Sequence, residues 1–246
     1  MGEWSLPMHA VGVLTACGLA VVMGNPWPLV LGVGLSFLGL IAGAVGRWTP
    51  SGRFGPANVV TAGRLFLLLL LTAFSHRLGS FVLAAAFLLA LLLDVLDGYV
   101  ARRGGHASAF GASFDLEVDA AFVLLLGYLL WLRAGLGFWV LGAGLLRYVY
   151  VIALVLVPPS GIDRVRSRLG RAAFVVTASC LVLALTVDDF IARGALATLG
   201  TAVSCLSFGR SFVDAYPMLG TLPSSVARFG KRAWRGCQYV FSGGAS

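Results

Sequence analysis

Apolar runs of about twenty residues fill most of this 246-residue chain, and short polar segments separate them. A transmembrane helix needs ~20 consecutive, mostly apolar residues. The runs that reach this length lie at about 6–24, 27–46, 57–75, 80–102, 110–132, 136–157, 169–187 and 189–209. They lack the alternation of barrel strands, and lipid cannot satisfy unpaired backbone groups. The pattern therefore predicts an all-α polytopic membrane protein with about eight transmembrane helices.

The composition supports this class. The chain is 59% hydrophobic and 11% charged, whereas soluble domains carry about 25% charged residues. The net charge of +8 indicates basic cytoplasmic loops rather than a nucleic-acid partner, because membrane proteins concentrate Lys and Arg in those loops. The four cysteines lie far apart and show neither metal-ligand spacing nor a disulfide framework.

The distribution of cations predicts the orientation. The first two runs are separated only by "GNPWP", which indicates a hairpin, and with the N-terminus inside only Arg77, Arg133 and Arg193 fall outside. Most other Lys and Arg residues then face the cytoplasm, as the positive-inside bias requires. We expect a bacterial inner-membrane protein with both termini in the cytoplasm.

Three regions follow along the chain. Residues 1–55 form an N-terminal transmembrane hairpin and linker, 56–210 form a six-helix core, and 211–246 form a basic cytoplasmic tail. In the tail, apolar residues recur at helical spacing opposite basic ones, which suits an amphipathic helix on an anionic membrane surface. A disordered basic tail explains the same composition.

Acidic residues are concentrated in the middle of the chain. Half of the ten lie between positions 94 and 119, namely Asp94, Asp97, Asp115, Glu117 and Asp119. An ionised Asp at the bilayer centre costs ~2.5–3.5 kcal/mol on insertion scales. Four would cost on the order of 10 kcal/mol, which is comparable to the stability of a whole domain. Such a cluster implies bound cations or a proton path.

The spacing of the aspartates favours cations. Asp94 and Asp97 are three positions apart, and Asp115 and Asp119 are four apart, so each pair shares one helix face. If the two helices run antiparallel around the turn "GGHAS", all four carboxylates meet at one depth. Oxygen ligands without His or Cys suit Mg²⁺ or Mn²⁺.

Small residues and an arginine flank these carboxylates. Gly98 and Ala101 share the face of the first pair with Arg102 at its edge, and Gly111 lies one turn before Asp115. Small residues let a ligand approach the backbone, and a guanidinium binds phosphate oxygens. Together these features describe a site for a diphosphate.

The combined motif resembles the signature of a known family. The pattern Asp94-x-x-Asp97-Gly98-x-x-Ala101-Arg102, eight residues, Gly111-x-x-x-Asp115-x-x-x-Asp119 looks like the signature of the CDP-alcohol phosphotransferases, or CDP-alcohol phosphatidyltransferases. Upstream, "PANVVTAGR" is similar to the Asn-x-x-Thr-x-x-Arg that begins the family's first core helix. The resemblance covers about residues 56–210 and leaves out the hairpin and the tail.

The resemblance implies a specific reaction. It implies phospholipid synthesis by transfer of a phosphatidyl group from CDP-diacylglycerol, or another CDP-alcohol, to a small polar alcohol, with release of CMP. It implies two divalent ions, Mg²⁺ or Mn²⁺, and a homodimer. The metal ligands would be Asp94, Asp97, Asp115 and Asp119, with Asp119 also the catalytic base. The CDP site would contain Asn58, Thr61, Arg64, Gly98, Ala101, Arg102 and Gly111.

The acceptor site is less well defined. Arg168 and Arg171 suit a phosphorylated acceptor such as glycerol 3-phosphate or inositol phosphate, but ordinary positive-inside placement explains them equally well. Arg147 lies inside an apolar run, where an arginine usually has a partner. We expect it to face the acceptor phosphate or to pair with an aspartate.

The remaining polar groups have simpler interpretations. Glu117 lies off the aspartate face, and we expect it beside a helix start and outside the metal site. His106 is expected to be solvated, and His9 and His76 show no constellation.

A second functional class would also explain buried aspartates, namely an ion- or proton-coupled transporter, in which they carry the coupling ion. It predicts carboxylates on several helices and an internal repeat, whereas here the aspartates are confined to one helical hairpin.

Overall fold

The computed structural model describes residues 5–49, 52–103, 108–157 and 168–215, with side chains for all of them except 94–103 and 168. Within these ranges the chain forms eight α helices and no β strand, which confirms the all-α prediction. The helices are α1 (Ser5–Met23), α2 (Trp27–Ala42), α3 (Pro56–Ala73), α4 (Ser80–Arg103), α5 (Ala109–Ala134), α6 (Gly142–Leu156), α7 (Arg168–Thr186) and α8 (Phe190–Ala215). Short 3-10 helices, Ser75–Arg77 and Phe138–Leu141, precede α4 and α6.

The lengths and compositions of the helices indicate an integral membrane protein. Among the described residues, five helical segments are long and apolar enough to cross a membrane. They are Ser5–Met23, Pro56–Ala73, Phe138–Leu156, Leu169–Thr186 and Phe190–Ala215. Two further apolar stretches, Trp27–Ala42 and Ser80–Leu93, are shorter. Helix α2 ends before the predicted run does, because the chain turns after Ala42 and Gly46 adopts a φ of 76°.

The chain divides into two units, residues 1–209 and 210–246. In the first, α5 is the central helix, because it packs against α3, α6 and α7 and is buried at every position from Glu117 to Leu130. Helix α1 packs against α2 and α6, and α4 packs against α3 and α7. In the second, the described residues are the last turns of α8, where Arg210 Nε lies 4.0 Å from Asp214 Oδ2 on an exposed face.

Local signals explain where α5 begins and how closely it packs. The Ser108 hydroxyl accepts a hydrogen bond from the Gly111 backbone N–H at 2.9 Å, as an N-cap residue does. At the other end, Gly135 takes the left-handed conformation that commonly terminates helices. Gly144 of α6 lets the two helices approach, since a Cβ there would lie 2.4 Å from Leu124 Cα. These features fix the position of the helix that carries Asp115, Glu117 and Asp119.

Candidate active site

Asp115 and Asp119 lie one turn apart on the side of α5 that faces α3. The Asp115 side chain is 25% exposed and that of Asp119 is 9% exposed. Gly111 lies one turn earlier on the same stripe, because residues four apart share a helix face. We call residues 111, 115 and 119 the aspartate stripe. It presents two carboxylates from a single, largely buried helix.

A buried guanidinium from α3 meets both carboxylates. Nη2 of Arg64 donates a hydrogen bond to Asp119 Oδ1 at 2.6 Å and lies 3.7 Å from Asp115 Oδ1. The Arg64 side chain is only 2% exposed, and a charge so buried requires an oppositely charged partner. The resemblance assigned Arg64 to the CDP site, and the structure brings its guanidinium to the carboxylates.

Asn58 and Thr61 precede Arg64 on the same buried stripe of α3. The Thr61 hydroxyl donates to the Ala57 carbonyl at 3.1 Å. A Cβ on Gly111 would lie 2.8 Å from Asn58 Oδ1, so the absent side chain allows this close approach of α3 and α5. Asn58 Nδ2 is buried without a hydrogen-bond partner among the described residues. A buried donor of this kind is a candidate ligand contact.

Several predicted site residues have side chains outside the described part of the structure. They are Asp94, Asp97, Gly98, Ala101, Arg102 and Arg168. Their backbone lies in the C-terminal part of α4 and at the first residue of α7. The loop residue His106 and the tail residues 216–246 are outside the description altogether. Arg171 is exposed in the first turn of α7.

The described half of the predicted metal site has suitable chemistry. No group of three or more His, Cys, Asp and Glu side chains converges among the residues searched, which exclude the side chains of Asp94 and Asp97. Asp115 and Asp119 supply carboxylate oxygens, the ligands that Mg²⁺ and Mn²⁺ prefer. The same two carboxylates also pair with the Arg64 guanidinium. These two residues therefore fit a divalent ion as part of a larger ligand set.

A second polar cluster lies on the opposite side of α5. Glu117 Oε1 accepts hydrogen bonds from Arg147 Nη2 at 2.5 Å and Nε at 3.2 Å. Its other oxygen, Oε2, lies 3.9 Å from His9 Nε2, and His9 Nδ1 is 2.8 Å from the Ser36 hydroxyl oxygen. We call His9, Ser36, Glu117 and Arg147 the hairpin cluster, because two of its members come from α1 and α2.

This cluster corrects the expectations for Glu117 and His9 and bears on the one for Arg147. Glu117 does not lie beside a helix start, because α5 begins at Ala109 and Glu117 is buried well inside the helix. Arg147 pairs with this glutamate and with no aspartate among the side chains that the structure describes; a role for Arg147 in acceptor binding stays a prediction. The expectation that His9 joins no constellation is wrong, because α1 packs close enough to bring it to Glu117. Each of the three charged or titratable residues interrupts an apolar run; this signal predicted a partner for Arg147, and it could have predicted one for Glu117 and His9 as well.

A comparison with protein families identifies the core. The family model described as CDP-alcohol phosphatidyltransferase matches residues 55–206. The chain belongs to this family. The resemblance seen in the aspartate motif is thereby confirmed, and the match extends from the start of α3 into α8. Helices α1 and α2 of this CDP-alcohol phosphatidyltransferase family member lie outside the match. No curated protein and no solved structure matches the chain.

Proposed function

We propose that this membrane protein transfers a phosphatidyl group from CDP-diacylglycerol to a small polar alcohol and releases CMP. The observation that carries the proposal is the family match together with the carboxylates of Asp115 and Asp119, which converge under Arg64. The acceptors that we propose include phosphorylated alcohols such as glycerol 3-phosphate or inositol phosphate. No observation favours the alternative of a transporter.

The donor would bind between α3, α4 and α5. On α3, Asn58 offers a buried amide donor, with Thr61 one turn later and Arg64 one turn beyond. On α5, Gly111 leaves the backbone open beside Asn58. We place the CDP diphosphate against these residues and against Gly98, Ala101 and Arg102 of α4, since a guanidinium and small residues suit phosphate oxygens.

The chemical step would depend on Asp119. In the transfer, the acceptor oxygen forms a bond to the phosphatidyl phosphorus while the bond from that phosphorus to the CMP oxygen breaks. Asp119 would take the hydroxyl proton of the acceptor, and CMP would leave with the electron pair. Arg64 donates a hydrogen bond to this carboxylate, and Asp119 would act as a base through its position beside the acceptor hydroxyl. Two divalent ions held by Asp94, Asp97, Asp115 and Asp119 would neutralise charge on the diphosphate.

A direct assay tests the proposal. Purified protein is incubated with CDP-diacylglycerol, Mn²⁺ and one member of a panel: glycerol, serine, inositol, glycerol 3-phosphate and inositol phosphate. CMP release and the mass of the lipid product are then measured. We expect CMP release that depends on one acceptor and on the metal, and loss of that release in Asp115→Asn. If no acceptor increases CMP release above the metal-free control, the proposed reaction is wrong.

We propose that Arg168 and Arg171 read a phosphate on the acceptor. Arg171 is exposed at the start of α7, on the side that the positive-inside bias assigns to the cytoplasm and its soluble acceptors. Replacing either arginine with Gln should raise the acceptor KM by about tenfold, which corresponds to ~1.4 kcal/mol, and leave the donor KM nearly unchanged. Arg47→Gln is the control, because Arg47 is an exposed arginine outside the matched region. Equal changes in both KM values would assign the arginines a structural role instead.

A further inference from the structure

Helix α5 has a second stripe that packs against the N-terminal hairpin and the linker after it. Phe114 meets Phe37 of α2 edge to face at 5.9 Å between ring centroids. Phe54 of the linker packs on Phe114 at 6.2 Å. Further along the same stripe, the Tyr128 hydroxyl donates to the Ala20 carbonyl of α1 at 3.2 Å. The hairpin, which lies outside the family match, is therefore bound to the helix that carries the aspartates.

Glu117 lies at the centre of this stripe and joins four helices. Its side chain is 1% exposed, and Arg147 of α6 holds its Oε1 through two nitrogens. His9 of α1 approaches its Oε2 and contacts Ser36 of α2, which in turn donates to the Val33 carbonyl at 3.2 Å. Hydrogen bonds thus join α2 to α1 and α5 to α6, while His9 Nε2 and Glu117 Oε2 face each other at 3.9 Å as buried atoms without a hydrogen-bond partner among the described residues.

Such a buried cluster is poorly explained by stability alone. Replacing a buried ion pair by apolar residues of similar volume is often neutral or stabilising, and in a membrane protein apolar side chains are the ordinary choice. Buried polar contacts are directional, so a network of them distinguishes one helix rotation from its neighbours. What the cluster adds is therefore a defined orientation of α5.

Orientation matters here because Glu117 lies two residues from Asp115 and two from Asp119. A rotation of α5 by about 20° would move groups at its ~5 Å surface radius by nearly ~2 Å. Metal ligands require positions within about 0.2 Å of their ideal distances. Contacts that fix the rotation at Glu117 thus fix the direction of both carboxylates on the aspartate stripe.

We infer that Glu117, held by Arg147 and placed beside His9, is a positioning residue for the transfer reaction, and that the N-terminal hairpin orients the α5 helix with its metal-binding aspartates. The catalytic role of Glu117 rests on the proposed function. The inference itself predicts that disrupting the hairpin cluster weakens the binding of a divalent ion at the aspartate stripe, although no residue of the cluster contacts that ion.

The test measures Mn²⁺ binding without substrate. Thermal unfolding of the full chain in detergent is recorded over a range of Mn²⁺ concentrations for the wild type, Glu117→Gln and His9→Ala. We expect both variants to need roughly tenfold more Mn²⁺ for half of the maximal stabilisation, as for other residues that orient metal ligands indirectly. His9→Ala leaves the Glu117–Arg147 pair in place, so this variant still tests the inference if Glu117→Gln does not fold.

Ser204→Ala is the matched control. Ser204 is a buried residue of α8 whose hydroxyl donates to the Ala143 carbonyl of α6 at 3.0 Å, so its loss also removes a contact between helices. It should lower the metal-free Tm without changing the Mn²⁺ requirement. The inference is overturned if His9→Ala behaves like this control, or if Mn²⁺ fails to stabilise the wild type. Absence of CMP release with an intact Mn²⁺ shift would count against the proposed reaction alone.

Discussion

Asp119 is held in place by a residue far away in the chain. Its carboxylate receives a hydrogen bond from Arg64, and both side chains are almost completely buried. Asparagine has nearly the same shape and keeps an oxygen that can accept from the guanidinium, but it lacks the charge and cannot take up a proton as a carboxylate does. Asp115, whose Oδ1 lies 3.7 Å from the same Arg64 nitrogen, remains as the charged partner of the guanidinium, so the substitution can separate chemistry from folding.

We predict that Asp119→Asn abolishes transfer while the protein stays folded. Loss of a general base typically costs 10²–10⁴-fold in rate, so CMP release should fall by at least about 100-fold. Circular dichroism and gel filtration in detergent should match those of the wild type. CMP release at the wild-type rate would exclude Asp119 as the base.

A second residue-scale prediction concerns Gly111. A methyl group there would meet Asn58 Oδ1 at 2.8 Å and the capping Ser108 Oγ at 3.0 Å. Because Asn58 is buried and cannot swing into solvent, Gly111→Ala should displace its amide and raise the KM for the CDP donor by roughly five- to tenfold. Gly194→Ala is the control, since nothing lies within 4 Å of a Cβ at that position of α8. An unchanged donor KM would remove Asn58 and Gly111 from the CDP site.

At the scale of helices, α5 contacts different partners on its different sides. The aspartate stripe contacts Arg64 of α3, and the opposite side contains Glu117 of the hairpin cluster. A third side crosses α6 closely at Gly144. There Gly144 contacts the backbone of Leu124, since a Cβ on Gly144 would lie 2.4 Å from Leu124 Cα and 2.5 Å from its nitrogen. A main-chain neighbour cannot move aside as a flexible side chain can.

We therefore predict that Gly144→Ala destabilises the protein by about 1–3 kcal/mol, which is typical of overpacking at a close contact. The free energy of unfolding in detergent is the measurement. Gly39→Ala in α2 is the matched control, because a Cβ there meets nothing within 4 Å, and Ala is favoured over Gly in a helix by up to ~1 kcal/mol. If both variants gain stability, α5 and α6 do not cross as closely as described.

At the scale of the whole molecule, orientation in the membrane is a prediction from the charge distribution. Cysteines introduced as Asn25→Cys, in the turn between α1 and α2, and as Ser160→Cys, before α7, should differ in reactivity. A membrane-impermeant maleimide should label the first in spheroplasts and the second only after lysis, because the positive-inside bias places the basic loops in the cytoplasm. The native chain gives the background from its own cysteines, and the reverse labelling would invert the topology.

The N-terminal hairpin also belongs to this scale. The family match begins at residue 55, yet α1 packs against α6 and Tyr128 of α5 bonds to its backbone. A region that lies outside the family match is thus joined to the core by buried contacts, both polar and aromatic.

Much of the protein was predictable from its sequence because the signals are local. Apolar runs of membrane length predicted the helices, and caps such as Ser108 and Gly135 lie close to the expected ends of α5. The spacing of Gly111, Asp115 and Asp119 places them on one stripe of any helix, and the motif led to the family that the comparison confirms.

Tertiary structure alone decided which stripes meet. Arg64 and Asp119 are 55 positions apart, and Arg147 and Glu117 are 30 apart. The helical period predicts which residues share one face of a helix. Which other helix contacts that face depends on how the helices pack. The sequence by itself therefore determined the helices, the acidic motif and the family. Packing determined that Arg64 covers the aspartates and that Glu117 joins the hairpin to the core, because those contacts arise only after distant helices associate.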